Sequence, residues 1–191
     1  MTEQQRYDVV RAEPGFELRR YPAHEVAEVE VEGTFEGAGN AAFRPLASYI
    51  GGRNATGAGL AMTAPVLQRR PESQEPEPQP QPSVETETTQ TAPGRYVVSF
   101  VMPAGSSPDS LPVPQDARVV IRTVPEELAA AVRYSGRWTS GSYRQQVARL
   151  RTAVADAGLE VVGPPRFARF DPPWTPWFRR RNEVVLPVAS P

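Results

Sequence analysis

The sequence has no cysteine, no lysine and a single histidine, His24. Without thiols there are no disulfides, no thiolate nucleophile and no thiolate ligand for iron or zinc. The absence of lysine removes Schiff-base and lysine general-base chemistry. Arginine supplies all 21 cationic side chains, which reads as the coding bias of a GC-rich genome. One histidine cannot build a multi-histidine metal centre. No stretch approaches the ~18 consecutive apolar residues of a membrane-spanning helix, and the leading MTEQQRYDVVRAEP has no apolar core. A cytoplasmic protein without a membrane partner is therefore expected. The net charge of −1 lacks the clustered basic surface that bulk binding to nucleic acid requires.

A length of 191 residues suits one domain, placed here at residues 6–189. Inside it, residues 71–93 carry six prolines, five glutamates and no basic residue. Such a composition cannot bury enough surface to offset the entropy of ordering, so residues 69–94 are expected to form a disordered hairpin loop. Loop closure entropy grows slowly with length, which lets a fold tolerate the insertion.

With that segment set aside, the chain repeats. The run from Glu28 to Phe35 enters one helix and the run from Ala131 to Trp138 enters another, with Gly33-x-Phe35 and Gly136-x-Trp138 in matching places 103 residues apart. Each helix precedes two strands, the last of which is closed by a proline, Pro103 or Pro187. Helix two is well formed: Thr139 or Ser140 caps it, Gly158 ends it, and Tyr143, Val147, Leu150, Val154 and Ala157 share one stripe. Helix one has Phe35, Ala42, Phe43, Leu46 and Ile50 on its apolar face. Gly37 and Gly39 each weaken it by ~1 kcal/mol against alanine, and Pro45 by ~3 kcal/mol, so a short or kinked helix is predicted. The strands alternate: Ala27, Val29 and Val31 oppose Glu28, Glu30 and Glu32, and Tyr96, Val98, Phe100 and Met102 share a face. The fold class predicted is α+β: a pseudo-two-fold repeat of strand-helix-strand-strand, giving an antiparallel sheet or distorted β-barrel flanked by two helices.

The richest segment is the C-terminal FDPPWTPWFRRRNEVVLPV, residues 170–188. Its prolines stop any preceding strand, its Trp174, Trp177 and Phe178 precede three arginines, and Val184, Leu186 and Val188 then alternate as a strand. Physically this is an aromatic-walled loop beside a cationic cluster, suited to an amphiphilic anion. The DPP followed by RRNEV resembles the C-terminal signature of the SOUL haem-binding protein family. Four further runs resemble that family in the same order: FELRRY from Phe16, the helix AFRPLASYI from Ala42, MTAPV from Met62, and VSFVMP from Val98. The resemblance implies the same two-helix, antiparallel architecture and a cytoplasmic haem or tetrapyrrole carrier, buffer or sensor. The fold is also similar to the effector-binding domain of some bacterial transcription regulators. That keeps a module for other hydrophobic or cationic small molecules as an alternative, along with a protein-interaction role for the acidic Pro-rich segment.

A porphyrin face requires an apolar slot, and its propionates require cationic or N–H donors. For non-covalent haem, Phe35, Phe43, Leu46, Ala47 and Ile50 are expected to form one wall and Trp174, Trp177 and Phe178 another, with Met62 also at the site. Arg44, Arg53, Arg179 and Arg180 are the candidate partners of the propionates. His24 is a weak candidate for the iron ligand: if the alternation runs back from Glu28, it sits with the glutamates on the outer face as an exposed edge histidine. Family members with a histidine ligand would carry it where Arg20 stands here. Met62, Met102, Tyr49 and Tyr134 are chemically permitted alternatives among which the sequence does not choose. No catalytic residue is predicted. The glutamates of the 28–32 strand form a solvated face, the serines have no histidine partner in sequence, and neither glycine cluster matches a phosphate-binding motif. An enzyme is not expected.

Overall fold

The computed structural model describes residues 2–71 and 93–189. Period-two alternation builds most of it. Eleven strands appear in chain order: β1 Glu3–Gln4, β2 Asp8–Glu13, β3 Phe16–Tyr21, β4 His24–Gly33, β5 Thr63–Ala64, β6 Val66–Arg69, β7 Gly94–Val101, β8 Val120–Val124, β9 Glu127–Tyr134, β10 Arg166–Arg169 and β11 Asn182–Pro187. Helix α1 spans Phe35–Ile50 and α2 spans Ser140–Asp156. Nine strands form one antiparallel sheet in the order β2-β3-β9-β11-β10-β6-β7-β4-β8, and β1 pairs with β5 as a short parallel ribbon. The sheet is open, with β2 and β8 as its edges. Of the two forms expected, it is the flanked sheet and not a closed barrel.

The repeat is present, and larger than the sequence suggested. Strands β4, β6 and β7 with α1 match β9, β10 and β11 with α2, and the halves meet where β6 pairs with β10. Each half also owns a leading strand that it donates to the other: β3 pairs with β9, and β8 pairs with β4. Pro22 and Pro125, 103 residues apart, lie in the links between each leading strand and its successor. A proline has no N–H for the ladder, so the chain leaves one half and joins the other at that point.

Both helices cover the same face of the sheet. Beneath α1, Ala38, Ala42, Leu46 and Tyr49 pack on Val29, Val98 and Phe100. Beneath α2, Leu150 and Val154 pack on Leu18, Ala130, Val184 and Leu186. Fully burying each of these larger side chains contributes about 1.5–3 kcal/mol. The second helix has the predicted Thr139 cap, whose side chain accepts the Ser142 N–H at 3.3 Å.

The first helix corrects the expectation of a short or kinked element: it runs unbroken for 16 residues. Gly37 lies in the first turn, where its N–H donates to the Thr34 cap at 3.1 Å. Pro45, itself buried, removes only the hydrogen bond to the carbonyl of Ala41, an exposed residue. Burial of the opposite face outweighs these local penalties, as tertiary packing commonly does.

The expected disordered segment lies, except for its ends, outside the described residues. Its assigned limits are corrected, because Arg69 and Gly94 are strand residues, held by pairing Arg69↔Val97 and Gly33↔Gly94. Strands β6 and β7 on either side of it pair with each other.

Candidate functional site

The two ends of the motif set meet on the sheet face away from the helices. Arg19 of FELRRY, buried on β3, donates through Nη1 to Glu183 Oε2 at 2.7 Å. Glu183 of RRNEV is 1% exposed and also accepts Arg181 Nε and Nη2 at 2.9 and 2.7 Å. Arg19 lies 4.1 Å from the Tyr7 ring centroid and reaches the Tyr21 hydroxyl at 3.2 Å. Burial acts to lower the Arg19 pKa, but the Glu183 hydrogen bond and the surrounding charges raise it overall. Arg19 Nε also donates to the half-exposed Glu17 at 2.8 Å, so two guanidinium groups and two carboxylates, Glu183 the buried one, form a closed ion network. It clamps β3, β11 and the N-terminal arm together.

The helix face holds a different arrangement. Phe43 of α1, about half exposed, meets Phe100 edge-on at 5.8 Å. Phe100 is in register with Val66, and Val66 with Arg169. Alternation turns Arg169, like Phe167, inward beneath the helices. Its guanidinium lies 5.2 Å from the Trp138 ring centroid, and Arg180 lies 4.3 Å from the same ring. The Trp138 indole N–H donates to Asn182 Oδ1 at 2.8 Å, which ties the ring to the start of β11. Phe43, Phe100, Arg169, Trp138 and Arg180, with Val66 between Phe100 and Arg169, thus mark a strip from the middle of α1 to the C-terminal loop.

That loop is rigidly made. Arg180 Nε donates to the Thr175 carbonyl at 2.8 Å and Nη2 to the Pro173 carbonyl at 2.5 Å. The Arg181 N–H donates to Asp171 Oδ2, and the Gly136 N–H to the Trp177 carbonyl at 3.1 Å. The loop presents three rings to solvent: Trp174, 82% exposed, and, in a 3-10 turn over Trp177–Arg179, Trp177 and Phe178, each about half exposed. Arg137 lies over Trp177 and Arg179 over Phe178, at 5.6 and 5.8 Å. Neither cation has a carboxylate partner among the described residues.

The residues expected at a haem slot are divided by the fold. Phe43 faces the strip, and Trp174, Trp177 and Arg179 stand at its far end. Phe35 and Leu46 are core residues beneath α1, Phe35 stacked on Tyr143 at 4.9 Å, so neither forms an outer wall. Ala47 and Ile50 are half-buried and Met62 is exposed just ahead of β5. Arg44 and Arg53 lie elsewhere, in a polar cleft of about 500 Å³ between the other flank of α1 and the 115–118 segment, together with Ser48 and Arg118.

His24 is on the face away from the helices, as the alternation implied. It is half-buried and not an exposed edge residue, because the N-terminal arm lies over it. Its Nδ1–H donates to the Pro22 carbonyl at 2.9 Å and its Nε2 accepts the Gln5 amide at 3.0 Å. It lines a hollow of about 240 Å³ with Met102 and Thr63. Burial holds its pKa below the ordinary value.

Trp138, Arg169 and Arg19 escaped the sequence reading as functional residues. An arginine at an inward strand position, opposite an isolated glycine in a helix pattern, was the available signal for Arg169.

A family model described as SOUL haem-binding protein matches residues 2–187, and the chain belongs to that family. No curated protein matches the sequence. Among solved structures, the C-terminal domain of EcmrR superposes with a TM-score of 0.63 at 15% identity, over 97% of this chain and 99% of that one. A protein from Listeria innocua described as a hydrolase gives 0.60 at 12% identity, over 89% and 90% of the two chains. SAV2435 bound to tetraphenylphosphonium gives 0.51 at 12% identity, over 92% and 94%. At these identities the likeness is one of fold. Among the described residues no helix is long and apolar enough to cross a membrane.

Proposed function

We propose that this SOUL-family protein is a tetrapyrrole-binding protein, with haem as the first ligand to test, and that the strip from Phe43 to the Trp174–Phe178 rings is where the macrocycle lies. The observation that supports this most is the loop itself. Three exposed rings, held by prolines and by Arg180, stand beside arginines that have no carboxylate of their own. An exposed, rigid aromatic patch fits a large flat apolar partner, and the uncommitted guanidinium groups of Arg137 and Arg179 fit its propionates. Haem would bring redox-active iron; the residues of the strip hold and orient the ring and draw its carboxylates. The iron ligand is left open, since His24 stands on the other face of the sheet with both nitrogens engaged. A carrier or buffer role in the cytoplasm suits such a surface site.

The second reading, a site for hydrophobic cations, is motivated by SAV2435 and its tetraphenylphosphonium. Here the charges argue against it: the buried carboxylate Glu183 is already held by two arginines, and the strip carries cations. The test is a titration with haemin and protoporphyrin IX, followed by Soret absorbance and tryptophan fluorescence. Saturable one-to-one binding that weakens in Trp177→Ala and Phe43→Ala is expected. Binding unchanged by both substitutions would place the ligand elsewhere, and no saturable binding would end the tetrapyrrole reading.

A further inference from the structure

Among the described residues, Arg169 is a full charge buried without a counter-charge. It is 7% exposed, and its Nε has no hydrogen-bond partner. No carboxylate reaches it among the described residues. Nη2 donates to the Gln68 amide oxygen at 2.6 Å, and the Trp138 and Phe167 rings lie 5.2 and 5.5 Å from the guanidinium carbon, with Gly39 of α1 against it and Tyr134 nearby. One amide oxygen and two ring faces restore only part of the hydration that burial removes. Burial accordingly pulls its pKa down to about 10, with Tyr134 acting to raise it, so the group stays charged at neutral pH. A second guanidinium, that of Arg180, shares the Trp138 ring and spends its donors on the loop carbonyls. Among the described residues, no acidic side chain pairs with either guanidinium.

The fold makes room for this charge. A Cβ on Gly39 would overlap the Arg169 guanidinium, so α1 carries no side chain where the arginine arrives. A helix that accepts a glycine in its interior to admit an unneutralised cation calls for an explanation beyond packing. We propose that Arg169 is the anion receptor of the strip: its Nε, unpartnered and closed to solvent in this structure, takes the carboxylate of a ligand that displaces the packing over it, so that the site selects apolar carboxylates over apolar cations and esters. This rests on the binding reading above and narrows it to an acid. The carboxylate belongs to a tetrapyrrole or to a fatty acid, and the recognition chemistry is the same for both.

The experiment uses the full chain and Arg169→Met, with folding checked by circular dichroism. Four probes are titrated by tryptophan fluorescence and calorimetry: protoporphyrin IX, its dimethyl ester, laurate and dodecyltrimethylammonium. The parent chain is expected to bind the diacid at least about tenfold more tightly than the diester, the worth of one charge-assisted hydrogen-bond pair. Arg169→Met should reduce that preference about tenfold, to the part that Arg137 and Arg179 supply, while leaving the diester's affinity intact, and Arg169→Lys should retain more of it. If laurate binds through Arg169 and neither porphyrin binds, the acid is a fatty acid: the receptor stands and the tetrapyrrole reading falls. Diacid and diester binding equally to the parent chain, or both weakening equally in Arg169→Met, would overturn the receptor while leaving the tetrapyrrole reading intact. Binding of the cation alone, or of no probe, would overturn both. Should Arg169→Met fail to fold, the diacid-to-diester ratio in the parent chain and in Arg169→Lys decides the matter.

Discussion

Arg19 and Arg169 are the same residue type, buried to a similar degree on strands of one sheet, and their environments are opposite. Arg19 meets a carboxylate buried as deeply as itself, and its pKa rises; Arg169 meets an amide and aromatic rings, and its pKa falls to about 10. Removing one partner from a closed buried pair leaves an uncompensated charge, whereas removing a lone buried charge relieves one. The face away from the helices is therefore a structural clamp, and the face under them holds a charge that apo packing does not use.

The comparison breaks most sharply at Glu183. Glu183→Ala leaves Arg19, deep in the sheet, with only the half-exposed Glu17 as a carboxylate partner and should destabilise the fold by about 3 kcal/mol, read from urea denaturation. Arg169→Met should do the reverse, leaving the apo protein unchanged or about 1 kcal/mol more stable. A destabilisation matching that of Glu183→Ala would show that both arginines are structural.

The next effect couples a helix to that charge. Gly39→Ala should destabilise by about 1–3 kcal/mol through overpacking, although alanine is the better helix former by about 1 kcal/mol. In the Arg169→Met background the same change should cost much less or become favourable. A double-mutant cycle by thermal denaturation measures this coupling, and additive effects would deny the contact. Away from both arginines, Thr139→Ala should cost about 1 kcal/mol through loss of the α2 cap.

The smallest effect is a pH dependence. Burial is the main cause that holds the His24 imidazole below its ordinary value of 6.5, against the Pro22 carbonyl bond that raises it. The unfolded chain then binds the proton more readily than the folded one. Stability should fall as pH drops below about 6.5 and level off once the lower folded-state value is passed. His24→Gln should flatten that part of the curve. An unchanged profile would mean that the ring is solvated in the folded protein.

Much of the fold was legible. The alternation in β4, β7, β9 and β11, the 3.6-residue stripe of α2 and the repeated Gly-x-aromatic turn each follow from local physics. The full length of α1 was not, because the penalties of Gly39 and Pro45 are local while the compensating burial of Leu46 and Tyr49 comes from β4 and β7. The crossing of β3 and β8 between halves was also hidden, since Pro22 and Pro125 announce only a break and not its destination. At the site, the exposed rings of the C-terminal loop were readable as an aromatic cluster beside cations. The separation of Arg44 and Arg53 into another cleft was not, because neighbouring positions on one helix, such as 43 and 44, point in different directions.

The sequence by itself determined the element types, the repeat, the inward and outward faces of each strand and the family, since these depend on spacing along the chain. Only the tertiary structure decided which charges meet. The distance between Arg19 and Glu183, and the lack of a carboxylate for Arg169 among the described residues, depend on strands brought together from far apart in the chain, and the energy of a buried charge is set by those neighbours.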